Sequence, residues 1–196
     1  MRIENLFPTP INLIDIDDEP MTKALHDDII KVDKKIKNGM PDGWNAKLRT
    51  SFESDFDVLT LPSFQQLQKY IFQNTKAFAL ALGYDVNAYP LRISDIWYNI
   101  YRPGDWQEAH IHTNNVISGI YYVAAPEKCG DLIVHSPYSE QMIDPPQTEA
   151  TIYNSASAAV HPRTGLMVLF RSCMKHSVKI NRANKARISI AFNLMM

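Results

Sequence analysis

Three histidines, one arginine and one serine in the second half of the chain have the types and spacing for a metal site with an anion clamp beside it. His110 and His112 stand two apart in the run Trp106-Gln-Glu-Ala-His-Ile-His112. In an extended strand, residues i and i+2 face the same way. His176 lies far enough along the chain to arrive from a different strand. The three imidazoles would then occupy one triangular face of an octahedron, leaving the opposite three positions for a bidentate co-substrate and O2, as Fe(II) in oxygenases requires. Arg187 follows His176 on the last strand, with Ser189 on the same face. A carboxylate buried deep in a protein is costly without a partner; a guanidinium fork meets that need, and the Ser189 hydroxyl is a second donor.

The remaining polar residues are read more plainly. His26 lies among charges on a helix and is a solvated residue, while His135 and His161 flank serines or prolines near loop starts and are surface or capping residues. Glu108 sits two before His110, on the face of both histidines, so Glu108 with His110 is an alternative pair. Asp105, in Pro103-Gly-Asp105, is a turn former. Asn99, Asn114 and Asn115 are candidates for a substrate mouth, and Trp97 and Trp106 for core or substrate platform. Arg102 and Arg171 rank no higher than surface charges.

The elements that must position these groups follow from hydropathy. Phe7 to Ile16 reads as an edge strand, and Asp17, Asp18 and Pro20 then open a helix. Leu25, Ile29, Val32 and Ile36 give that helix one apolar face, ending near Gly39. A second helix follows Leu61-Pro62, with Ser63 and Gln66 spaced as a capping box; Phe64, Leu67, Ile71, Phe78 and Leu82 form its apolar stripe up to Gly83. From about Leu91 onward short alternating strands take over, expected at 91–102, 107–112, 117–124, 131–135, 150–153, 166–170, 175–180 and 186–194. Close spacing of so many strands implies a sandwich or barrel. In the last strand Ile188, Ile190, Phe192 and Leu194 alternate with Arg187, Ser189, Ala191 and Asn193; the apolar face is assigned to the helices and the polar face to the interior. The stretch 137–149 reads as a loop over one mouth. The expected organisation is a single domain over 1–196, with 1–90 a helical buttress with its edge strand and 91–196 the β core.

Composition narrows the classes. The net charge is -1, from 20 basic and 21 acidic residues in 196, which gives no electrostatic reason to expect nucleic acid or an anionic membrane as partner. Cys129 and Cys173 are far apart and in no metal-like spacing, so neither a disulfide framework nor a zinc knuckle is expected, and a reducing cytoplasmic setting fits. No signal-peptide pattern opens the chain, and no apolar run is long enough for a membrane span. A homodimer through exposed strand edges is the expectation for assembly.

The motifs around the histidines carry a resemblance. Tyr101-Arg-Pro-Gly104 before His110-x-His112, Ser118-Gly-Ile-Tyr-Tyr-Val123 after it, then Gly165-Leu-Met-Val-Leu-Phe170, His176-Ser-Val178 and Arg187-Ile-Ser-Ile-Ala-Phe-Asn193 resemble the 2-oxoglutarate and Fe(II)-dependent oxygenases. The match is to a small bacterial and phage group with a His-x-His and Ser-Gly-x-Tyr-Tyr signature, and Leu6-Phe-Pro-x-Pro10 extends it over nearly the whole chain. The resemblance implies a mainly β fold, a double-stranded β-helix or jelly roll with two N-terminal helices packed outside. It implies an oxidoreductase that hydroxylates a small molecule or a protein side chain, turning O2 and 2-oxoglutarate into succinate and CO2. It implies Fe(II) on His110, His112 and His176, and 2-oxoglutarate on Arg187 and Ser189, with Tyr122 first and Tyr101 second as further contacts. Tyr121 is expected to face away.

The chain departs from the wider superfamily by placing His112 where a carboxylate usually stands. Three neutral imidazoles leave the charge of Fe(II) uncompensated by protein, which shifts that task to the anionic co-substrate. Two other readings stay open at the level of sequence: a three-histidine iron oxygenase that does not use 2-oxoglutarate, and a non-catalytic jelly-roll module holding a metal or ligand.

Overall fold

Asp18 starts the first helix, α1 (Glu19–Asp33), by accepting the Met21 N–H on its side chain at 3.0 Å, with Pro20 in the first turn. Its second carboxylate oxygen takes the Gln66 amide at 2.9 Å and the Tyr70 hydroxyl at 3.0 Å, tying α1 to the second helix, α2 (Pro62–Ala81). Met21, Leu25, Ile29 and Val32 are buried as the periodicity requires. The helix ends at Asp33, earlier than the expected Gly39. Arg49 ends it by donating to the Asp33 carbonyl at 2.5 Å, to the Ile36 carbonyl at 2.7 Å and to the Asp33 carboxylate. Gly39 is instead paired through its backbone with Thr50 and Glu53.

The start of α2 also differs from expectation. Pro62 occupies its first turn and the cap residue Leu61 makes no side-chain bond, so Ser63 falls inside the helix, where no capping box forms. The Ser63 hydroxyl donates across to Asp28 of α1 at 2.6 Å; the Ser63 and Gln66 pair is thus a helix-to-helix latch. At the other end Gly83, at φ +77°, allows the reversal in which Tyr84 N–H meets the Ala79 carbonyl at 2.9 Å and Gly83 N–H meets Leu80 at 3.0 Å.

The computed structural model describes residues 2–138 and 145–196. Among these, eleven strands form two antiparallel sheets: β1 (Ile11–Asp15), β2 (Ala46–Lys47), β3 (Arg49–Thr50), β4 (Arg92–Tyr101), β5 (Trp106–His110), β6 (Ile117–Ala124), β7 (Leu132–His135), β8 (Ser157–Val160), β9 (Leu166–Arg171), β10 (His176–Val178) and β11 (Arg187–Met195). The larger sheet has the order β1-β9-β6-β11-β4-β3 and the smaller β2-β5-β10-β7-β8. The expected strand at 150–153 is a turn: Thr151 N–H bonds the Asn154 side chain at 2.7 Å, satisfying locally what a ladder would otherwise satisfy. The strand of that region lies later, at β8, along β7. Of the expected 137–149 loop, residues 139–144 lie outside the described residues.

Alternation in β11 sorts as its residues dictate. Ile188, Ile190, Phe192 and Leu194 join Leu25, Ile29, Phe64, Leu67 and Ile71 in the main core, so both helices cover the outer face of the larger sheet. Tyr121 faces that side too, sharing a 2.6 Å hydrogen bond with Thr22 of α1. Gly119 makes room there: a Cβ at this position would stand 2.3 Å from the Phe192 ring and 2.8 Å from Leu169. Toward the other sheet, Tyr122, Leu132, Val168, Phe170 and Met174 pack as an inner cluster. Between β2 and β3 the chain passes at Leu48 from the edge of the smaller sheet to the edge of the larger, joining the two layers on one side. No helix among the described residues is long and apolar enough to cross a membrane.

Candidate functional site

The smaller sheet brings the distant histidine to the first. His176 on β10 is the direct cross-strand partner of His110 at the end of β5, and their rings lie 4.3 Å apart between centroids. His112 stands beyond the strand end, held by its N–H to the Ser172 carbonyl at 3.0 Å. Both members of the pair still reach the same place, though only His110 is in regular strand. One nitrogen from each of His110, His112 and His176 lies within 4.8 Å of the others.

Backbone carbonyls set the tautomers. The Nδ1 atoms of His110 and His176 each lie 2.9 Å from a carbonyl oxygen, of Glu108 and Met174 respectively. A carbonyl only accepts, so both Nδ1 atoms carry the proton and both Nε2 atoms are bare. His176 Nε2 in turn faces His112 Nε2 at 3.3 Å. That spacing is close to the roughly 3 Å expected between adjacent ligands on bonds of about 2.1 Å. Burial, the largest cause, together with the mutual repulsion of the rings, lowers the His112 pKa to about 4 and the His176 pKa to about 3; burial lowers that of His110 as well. All three rings are therefore neutral near pH 7, the form in which imidazole binds a metal.

Glu108 does not enter this group. Its carboxylate accepts from the Asn45 backbone N–H at 3.3 Å and the Asn45 side chain at 3.0 Å, and the three-histidine cluster forms without it.

An inner cavity runs from the histidines between the sheets, lined by Trp97, Asn99, Tyr101, Gln107, Tyr122, Phe170, Arg187 and Ser189 among others. Arg187 is 1% exposed, with its guanidinium 4.0 Å from the centre of the Tyr101 ring and 6.0 Å from that of Tyr122. Tyr101 is thus nearer to the guanidinium than Tyr122. Tyr101 donates to Gln107 at 2.6 Å. Burial pushes the Tyr101 phenol up to about 12 and that of Tyr122 higher still, opposed in both by the arginine, so both are neutral. Arg187 gives one N–H to the Gly130 carbonyl at 2.9 Å, and its Nε–H has no partner. Among the described residues no carboxylate pairs with it. Among the described residues, the other buried side-chain atoms left without a hydrogen bond are Asn99 Oδ1, on this cavity, and Trp97 Nε1, on a residue that also borders a second, solvent-facing cavity. A buried cation with an unpaired N–H and no anion describes a cradle for an anionic ligand.

Outside the histidines an open cavity of about 310 Å³ faces solvent. Trp44, Asn45 and Phe52 form part of its wall, together with Asp95, Trp97, Asn115 and Asn193. Trp44, Asn45 and Phe52 come from the crossing segment around β2 and β3, and sequence spacing gave no signal for them. Asn115 borders this outer cavity and Asn99 the inner one. Trp106 borders a separate surface cleft with Lys128 and Arg182, and Arg102 and Arg171 are exposed. His135 bonds Ser177 at 2.8 Å and His161 bonds Asp131 at 2.8 Å. Asp105 closes its turn on the Arg102 N–H at 2.8 Å.

With this geometry in view, comparisons with known proteins agree on the class. Residues 95–193 match the family model described as "Putative 2OG-Fe(II) oxygenase", and the chain belongs to that family. It is an Fe(II)- and 2-oxoglutarate-dependent oxygenase, and its two-sheet architecture is the jelly roll of that class. No curated protein matches it by sequence. Among solved structures, a Pseudomonas putida prolyl-4-hydroxylase aligns with TM-score 0.67 at 15% identity, covering 96% of this chain and 94% of that one. The collagen prolyl hydroxylase of Paramecium Bursaria Chlorella virus-1 aligns with TM-score 0.60 at 13% identity, covering 94% of each. HygX from Streptomyces hygroscopicus, solved with nickel and 2-oxoglutarate, aligns with TM-score 0.62 at 12% identity, covering 95% of this chain and 83% of that one.

Proposed function

We propose that His110, His112 and His176 hold the iron, that Arg187, Ser189, Tyr101 and Tyr122 hold 2-oxoglutarate, and that the enzyme hydroxylates a C–H bond presented from the outer cavity. The observation that carries this reading is the pairing, in one cavity, of three converging neutral imidazoles with a buried guanidinium that has no anion. Bound together, Fe(II) and 2-oxoglutarate supply the oxidation: one atom of O2 enters the substrate C–H bond and the other enters succinate as CO2 leaves.

The chain's own groups do the rest. The Glu108 and Met174 carbonyls fix two rings with Nε2 directed at the ion. His112 Nε2 lies 3.3 Å from His176 Nε2, and to hold an ion beside it His112 would carry its proton on Nδ1. Arg187 neutralises the far carboxylate of the co-substrate, with Ser189 and the Tyr122 phenol as neutral donors beside it and the Tyr101 ring packed on the guanidinium. Phe170, packed 4.7 Å from His176 between ring centres, keeps water from that side of the site. The partner in turnover is a substrate of unassigned identity together with O2, and the single-domain organisation of the whole chain is part of this proposal.

The test is succinate formation from 2-oxoglutarate under O2, with and without Fe(II). Wild type should release succinate only with iron, and Arg187→Met should need at least tenfold more 2-oxoglutarate for the same rate. Iron-dependent oxidation untouched by 2-oxoglutarate or by Arg187→Met would favour the three-histidine oxygenase that dispenses with the co-substrate. No release under any condition would favour a binding module.

A further inference from the structure

We infer that the outer cavity receives a positively charged group of the substrate, an amine or guanidine, on a compound whose bound part also offers a neutral oxygen and carries no carboxylate or phosphate. The inference rests on the iron-site reading only in taking this cavity as the place where the reacting C–H bond is presented.

The charges in the cavity are one-sided. Asp95 from the larger sheet and Glu108 from the smaller both border it, and among the described residues no lysine or arginine does. Neutral donors hold each carboxylate. Asp95 accepts from the Asn193 amide at 3.3 Å, and Glu108 accepts from Asn45. Such donors orient a carboxylate and leave its charge in place. Among the described residues neither forms an ion pair.

An independent feature is the aromatic wall. Trp44 and Phe52 stack with ring centres 5.2 Å apart, and Phe52 meets Trp97 edge-on at 4.8 Å. Aromatic faces beside uncompensated carboxylates attract cations. Trp97 adds a third signal: it is 4% exposed, and its Nε1–H lacks an acceptor. Fe(II), Arg187 and dianionic 2-oxoglutarate together would carry one net positive charge against these two carboxylates, so the loaded site keeps a net negative charge and one buried N–H without an acceptor; a hydroxy- or carbonyl-bearing amine supplies both needs. An anion placed here would meet two like charges, which disfavours nucleotides, sugar phosphates and free amino acids. A volume of about 310 Å³ suits one amine-bearing side chain or a small free amine.

The experiment follows tryptophan fluorescence, since Trp44 and Trp97 wall the cavity. Full-length enzyme is loaded anaerobically with Fe(II) and 2-oxoglutarate and titrated with cadaverine, aminopentanol, lysine blocked at both ends as amides, pentanediol and glutarate. The amines should saturate, with pentanediol and glutarate at least tenfold weaker. Tighter binding of aminopentanol than of blocked lysine identifies a free amine as the source, and the reverse identifies a protein side chain. The Asp95→Asn, Glu108→Gln double variant should lose that charge preference. Amines that fail to saturate, diol or glutarate binding as tightly as amines, or a double variant that keeps the preference would each overturn the inference. The charge-transfer absorption of wild type with Fe(II) and 2-oxoglutarate, recorded before any amine is added, reports separately on the iron-site reading.

Discussion

Each proposed ligand histidine is shaped by what its second nitrogen does. Where a carbonyl takes the Nδ1 proton, as for His110 and His176, the ring is fixed in both tautomer and direction. The same burial that keeps these rings neutral makes the metal-free protein sensitive to acid. Relative to the ordinary histidine value of 6.5, the folded pKa of His176 is depressed to about 3 and that of His112 to about 4. Above pH 6.5 neither folded nor unfolded chain protonates them and the linkage is nil. Below it the unfolded chain takes up protons first, so stability is lost progressively as pH falls toward the folded values. For the deeply buried His176 the slope approaches about 1.4 kcal/mol per pH unit within that window. Denaturant midpoints of the metal-free protein should therefore fall between pH 7 and pH 4, and His176→Gln should flatten the curve. A midpoint independent of pH in wild type would contradict the neutral-ring assignment.

At the scale of elements, single contacts decide how helix and sheet meet. Asp18 caps α1 and also receives Gln66 and Tyr70 of α2, and the Met21 N–H is the largest cause that holds its carboxyl below the usual carboxylate value. Asp18→Ala should lower the chemical-denaturation midpoint, because it removes the N-cap of α1 together with its ties to Gln66 and Tyr70. Gly119→Ala should cost about 1–3 kcal/mol, because its methyl meets the Phe192 ring and Leu169 on the helix-covered face. Both helices and most strands were legible from hydropathy because each has one strongly apolar face, as in Ile188, Ile190, Phe192 and Leu194. Helix ends and one strand were not. Arg49, distant in sequence, ends α1; Pro62 moves the start of α2 past any capping box; and Thr151 to Asn154 satisfies itself as a turn. Those outcomes depend on tertiary partners or on local hydrogen bonds that periodicity does not record.

Across the whole molecule, the two-sheet fold turns separated motifs into one site. The His-x-His pair, His176 and Arg187 were readable in sequence because their spacing matches strands that the fold pairs, β5 with β10 and β4 with β11. The outer wall of Trp44, Asn45 and Phe52 was not, because the short segment that crosses between sheets has no periodicity of its own. The central claim, that one cavity holds both Fe(II) on three histidines and 2-oxoglutarate on Arg187, is tested most directly by anaerobic absorbance of the protein titrated with Fe(II) and 2-oxoglutarate. Wild type should show the metal-to-ligand charge-transfer band, His176→Ala should lack it, and Arg187→Met should need at least tenfold more 2-oxoglutarate to reach it. A wild type without the band, or a band indifferent to both substitutions, would contradict the account.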